Sequence, residues 1–161
     1  MKNSIFLLLT ILFLGSCTSK IEPSYTNPVQ VDGAKVKQLV ENGTAAQLIK
    51  NNCFTCHNPA AISHDDMLAP PLVGMKYKYQ QAFPQKENFI YNMTNFIATP
   101  SKENAIMRGP VRRFGVMPKS VLKAEEIQAV VTYLYDNKIE EPNWFSEHFE
   151  EEHGRKWDGN K

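Results

Sequence analysis

Between residues 53 and 57 the chain runs Cys-Phe-Thr-Cys-His, and no other five residues limit what it can fold into so sharply. Two cysteines separated by two residues can each add to a vinyl group on neighbouring pyrroles of one porphyrin. The histidine that follows the second cysteine then reaches the iron. The motif combines two thioethers and one axial ligand in a single short stretch, the attachment pattern of a covalent haem c. Two rivals use the same residues. A thiol-redox pair normally follows a strand and opens a helix within a βαβ unit. Here a helical pattern precedes Cys53, and Pro59, Pro70 and Pro71 follow His57. A zinc site needs about four ligands. Cys53 and Cys56 would then need two of His57, His64, His148 and His153, and no second pair stands at finger-like spacing.

The rest of the chain says where such a group would work. Only three cysteines occur in 161 residues, so a multi-disulfide scaffold is excluded. With 42% hydrophobic and 22% charged residues, the composition is that of an ordinary globular protein. A formal net charge of +1 marks out no nucleic-acid partner. The N-terminus carries Lys2 and then a ten-residue apolar run from Ile5 to Leu14, interrupted only by Thr10. That is half of the about 20 residues a spanning helix requires, and it fits the apolar region of an export signal. The run ends in Leu14-Gly15-Ser16-Cys17, which resembles a bacterial lipobox. The resemblance implies lipidation of Cys17, anchorage to a bacterial membrane and exposure to the periplasm. A plain secretory signal with an incidental Cys17 is the alternative. Residues 1–17 are thus expected to be the signal and lipobox, and residues 18–33, with prolines, serines and threonines and no apolar period, a flexible tether.

Residues 34–52 show a helical spacing of apolar positions broken at Gly43, and residues 58–74 are expected as loop. Phe89, Ile90, Met93, Phe96 and Ile97 mark a second helix over residues 87–98, with Pro100 beyond its end. Residues 101–120 hold Gly109, Pro110, Gly115 and Pro118 and are expected as loop. The third helix is the clearest: Ala124, Ile127, Val130, Val131 and Leu134 form one face, with Glu125 and Glu126 in the first turn, where the helix dipole favours them. No convincing strand is present, although residues 77–83 would suit a short extended piece.

Three motifs, in order, resemble class I cytochrome c: Cys53-Phe54-Thr55-Cys56-His57, then Ala69-Pro70-Pro71-Leu72-Val73-Gly74, then Gly115-Val116-Met117-Pro118. The resemblance covers residues 34–139 and implies an all-α fold, three main helices and loops around one covalent haem c. It implies Met117 as the second axial ligand; Met107, closely followed by Gly109-Pro110, is the runner-up, and Met93, on the apolar face of a helix, is expected as core. It also implies that the Pro70 carbonyl accepts the Nδ1 proton of His57 and fixes its tautomer. Rigidifying a turn is the other reading of Pro70 and Pro71. His64 is expected as an exposed histidine rather than a ligand. The sequence departs from the family where the last helix opens: Lys123 stands where Ser or Thr often caps the first turn. Either that cap is absent or Ser120 begins the helix earlier.

His/Met ligation closes both faces of the iron, so the implied function is one-electron transfer rather than bond chemistry. Between Met67 and Lys123 nine bases (Lys76, Lys78, Lys86, Lys102, Arg108, Arg112, Arg113, Lys119, Lys123) face only Glu87 and Glu103. Arg108, Arg112, Arg113 and Lys119 are expected around the exposed haem edge, where they would steer a redox partner with an acidic docking face. A solvated basic surface is the alternative. Residues 140–161 form a charged tail with Trp144, Phe145, Phe149 and Trp157 interleaved, either packed on the domain, bound to a partner or mobile. The competing functions are a haem c subunit of a larger oxidoreductase and a small haem enzyme or gas sensor. A dihaem peroxidase would need a second C-x-x-C-H, which the chain lacks.

Overall fold

The computed structural model describes residues 29–158, so Cys17, the export signal and most of the tether lie outside the described residues. Within it the chain forms seven α-helices and one 3-10 turn, with no strand among the described residues. Helix α1 is Gly33–Glu41 and α2 is Thr44–Asn52. Asp32 opens α1, its Oδ1 accepting the amides of Ala34 at 2.9 Å and Lys35 at 3.4 Å. Gly43 separates the two helices at φ 77°, a left-handed conformation that costs glycine little.

Helix α3 (Leu72–Ala82) stands where an extended piece was expected over residues 77–83. Its buried positions are Leu72, Val73, Met75, Lys76 and Tyr79, a helical spacing. The pattern is hard to see because a lysine occupies one of those places. Lys76 is 1% exposed, and its ammonium donates to the Asn137 carbonyl at 2.8 Å. Burial lowers its pKa and Asp136 opposes the shift.

Helix α4 (Lys86–Ala98) follows the apolar positions that mark it in sequence. Helix α5 (Arg108–Phe114) replaces part of the loop expected over residues 101–120. Gly109 and Pro110 look like breakers, but both lie in the first turn, where amides have no partner within the helix, so a proline is tolerated. Gly115, at φ 82°, ends it. Helix α6 begins at Ala124 and runs to Asp136. Ser120 does not begin it; instead the Lys123 amide donates to Glu126 Oε2 at 2.8 Å, half of a capping box without the usual hydroxyl.

Helix α6 packs against α1, α2 and α4. Ala45 and Ala129 are fully buried beside Val36, and such small side chains let these helices approach closely. The main core joins Ile49, Met75, Tyr79, Phe89, Met93, Ile127, Val131 and Leu134. Truncating a core aromatic such as Phe89 to alanine costs about 3–5 kcal/mol.

The tail packs on the domain. Helix α7 (Phe145–His153) buries Phe145 and Phe149 against Val73 of α3. Tyr77 meets Phe149 edge-on at 5.1 Å, and Trp157 closes on Phe145 at 5.1 Å and Phe149 at 4.8 Å. The architecture is the all-α cytochrome c fold in which three main helices were expected; α3 and α5 are additions that sequence did not mark, and α7 is the tail in its packed form.

Candidate haem site

Helix α2 does not stop cleanly. Cys53 caps it, its amide bonded to the Ile49 carbonyl at 2.8 Å, and the chain keeps turning: Cys56 and His57 donate their amides to the Cys53 carbonyl at 3.2 and 2.9 Å. Positions i, i+3 and i+4 of a helical turn share one face. Cys53, Cys56 and His57 therefore line the same cavity, of about 310 Å³. Phe54 packs instead against the core and Thr55 is exposed.

Burial pushes the Cys53 thiol up to about 11. A redox dithiol needs the opposite, a thiolate stabilised near neutral pH, so that rival loses ground. The zinc rival fares no better: among the described residues, no three His, Cys, Asp or Glu side chains come together to hold a metal ion.

His57 Nδ1 lies 2.5 Å from the Pro70 carbonyl oxygen. A carbonyl only accepts, so Nδ1 carries the proton and Nε2 is left as the donor atom for a metal. Burial lowers the His57 pKa and the Pro70 bond pulls the other way. A neutral imidazole is the form that binds iron. Pro71, beside Pro70, caps α3, so the carbonyl sits where a loop becomes a helix.

The remaining walls are mostly apolar, with Leu72, Phe96, Val130 and Leu134 from three helices. Such a lining with a few convergent polar groups is typical of a cofactor site. Four methionines reach it: Met75, Met93, Met107 and Met117. Met75 and Met93 are buried members of the core, as expected for Met93, whereas Met107 and Met117 are half-buried on either side of α5. Donor set and cavity together fit a covalent haem.

Leu68 and Val121, at 69% and 89% exposed, stand at the cavity mouth with Lys119, and sequence reasoning singled out neither apolar residue. Isolated leucine and valine in loops carry no periodic signal. The basic face is narrower than expected. Lys76 is buried, and Lys86 is paired with Asp136 at 2.6 Å. Arg113 binds Asp65 Oδ1 at 2.8 Å and the His64 carbonyl at 3.2 Å. Lys78, Lys102, Arg108, Arg112, Lys119 and Lys123 are exposed. His64 is not the plain exposed histidine expected: it is half-buried, with Nδ1 3.0 Å from the Arg113 guanidinium and its ring 4.3 Å from that of His148.

An all-α domain that gathers two cysteines and an imidazole on one wall of an apolar cavity defines a protein built to hold covalent haem. The family model described as Cytochrome c matches residues 41–138, from the end of α1 to just beyond α6, and the chain belongs to the cytochrome c family. Its cofactor is accordingly haem c, held covalently, with iron at its centre. Comparisons with curated proteins and with solved structures return no match.

Proposed function

We propose that this haem-based electron carrier is an exported, membrane-tethered monohaem protein, with thioethers at Cys53 and Cys56, His57 and Met117 on the iron, and Cys17 lipidated. Haem c supplies a one-electron couple between ferric and ferrous iron. The polypeptide does the rest. Cys53 and Cys56 anchor the group, Pro70 holds His57 in one tautomer, and the apolar walls exclude water. Exclusion of water favours the less charged ferrous state and so raises the reduction potential. The observation that carries the reading is the convergence of Cys53, Cys56 and His57 on one cavity that Met117 also lines.

Oxidised and reduced spectra of protein from a host that matures haem c test it. A low-spin spectrum with a sulfur-to-iron charge-transfer band is expected. Met117→Ala removes that band and Met107→Ala retains it. Colourless protein overturns the reading, and ready binding of CO by the wild type favours a sensor or small enzyme.

Exposed Leu68 and Val121, which line the cavity together with Lys119, suit a docking surface: a small apolar centre with a base at its edge for an acidic redox partner. Electron transfer to such a partner slows steeply with rising salt; a flat salt profile rejects the basic edge. The same surface suits a haem c subunit held within a larger oxidoreductase. For the anchor, no helix of the described residues is long and apolar enough to cross a membrane, and the proposal rests on the Leu14-Gly15-Ser16-Cys17 stretch. Wild-type protein partitions with detergent and Cys17→Ala with the aqueous phase; equal partitioning removes the anchor from the proposal.

A further inference from the structure

The C-terminal segment finds its partners on the loop that carries Pro70. Trp144 donates its indole N–H to the Ala61 carbonyl at 2.8 Å. The rings of Trp144 and His148 stand 5.6 and 4.3 Å from His64. Beyond Pro70, Gly74 lies so near Phe145 that a Cβ there would come within 3.3 Å of the ring. Phe145 and Phe149 share a buried cluster with Val73, and Tyr77 packs against it. One segment thus grips both flanks of Pro70: the loop before it, at Ala61 and His64, and the first turn of α3 after it, at Val73 and Gly74. The loop's own regular structure is a single 3-10 turn at His64–Asp66 with short-range bonds around it, such as the Ser63 hydroxyl to Asp66 Oδ2 at 2.6 Å, and the C-terminal segment adds ties from far along the chain. The bond that this order protects, His57 Nδ1 to the Pro70 oxygen, weakens steeply with distance and angle.

We propose that Trp144 and Phe145 are positioning residues for the haem's proximal histidine: the C-terminal segment is a strap that holds the Pro70 carbonyl on His57 and thereby sets the reduction potential. The proposal rests on His57 as an axial ligand. A carbonyl accepting the Nδ1 proton makes the imidazole a stronger donor to iron and favours the ferric state. Loosening the strap weakens that bond and moves the potential up. Water entering the cavity would move it down, because the ferric haem carries more charge. The sign of the shift therefore separates lost orientation from a merely leaky fold.

Spectroelectrochemical titration of the full-length haem-loaded protein decides the matter. Phe145→Ala shifts the potential upward, Phe145→Leu restores most of the wild-type value by refilling the space, and Trp144→Phe gives a smaller upward shift. Solvent exchange of the His57 Nδ1 proton accelerates in the same order. If Phe145→Ala fails to accumulate, Trp144→Phe, which keeps a ring and deletes one donor, answers the same question. A fall in melting temperature with the potential unmoved, or a downward shift, overturns the strap. Failure of His57 as ligand is distinguishable, because the wild type would then lack the low-spin spectrum, whereas failure of the strap leaves every spectrum intact.

Discussion

Two loops meet the haem cavity, and they are held in different ways. Residues 58–71, which bring Pro70 to His57, are tied to distant parts of the chain. Arg113 of α5 binds His64 and Asp65 and Trp144 binds Ala61, while the Pro70 carbonyl accepts from His57 at the loop's own start. Residues 115–123, which bring Met117 to the cavity, have polar ties to near neighbours. Gly115 donates to Val111, Leu122 to the Ser120 hydroxyl at 3.2 Å, and Lys123 to Glu126. Val121 at its tip is 89% exposed. The polypeptide thus sets the histidine's orientation by itself, whereas the methionine segment is the one for which a sulfur–iron bond would be the long-range tie.

That contrast can be broken by experiment. The largest effect is expected at His57: His57→Ala abolishes the low-spin spectrum, read directly by absorption, while retention of that spectrum would mean that the well-tied loop serves some other ligand. Next, amides of residues 115–123 exchange with solvent at least about tenfold faster than those of residues 61–67, the signature of local opening in the less tied segment. Equal protection removes the contrast. Arg113→Ala then costs about 1–2 kcal/mol in thermal melts, because its bonds to the loop are partly exposed and worth little each. Exchange should rise around residues 61–66 and stay unchanged around 116–121.

The smallest effect is a pH dependence. The His64 pKa is lowered, first by burial and then by Arg113 and His148, with Glu152 and Asp65 opposing. A histidine whose folded pKa lies below its unfolded value binds the proton better when unfolded. Its contribution is full above the ordinary value of 6.5 and is lost as pH falls through 6.5 toward the lower folded value. Thermal scans across that window should show wild type losing stability on acidification, and His64→Asn should flatten the curve. A gain in stability on acidification would contradict the assignment.

Elements that announce themselves by local periodicity were legible in the sequence: α6 carries an apolar face, and α4 keeps Phe89, Met93 and Phe96 at helical spacing although Asn92, Thr94 and Asn95 are buried beside them. Helix α3 was hidden because Lys76 occupies a buried position, where the Asn137 carbonyl 61 residues away accepts from its ammonium and Asp136 favours its charge. Helix α5 was hidden because Gly109 and Pro110 look like loop until their place in a first turn is known. The tail was ambiguous since its aromatics could face anywhere; their partners Val73, Tyr77 and Ala61 lie far back in the chain. His64 looked idle because its neighbours, Arg113 and His148, come from two other helices.

By itself the sequence determined the chemistry of the site: two thiols and an imidazole at spacings of three and four share a face in any helical turn, a consequence of local geometry. Tertiary structure alone decided which methionines reach the cavity, which of the nine bases are consumed by internal partners, and that the tail closes over the loop behind His57. Those outcomes depend on contacts between residues distant in the chain, and such contacts exist only once the helices have packed.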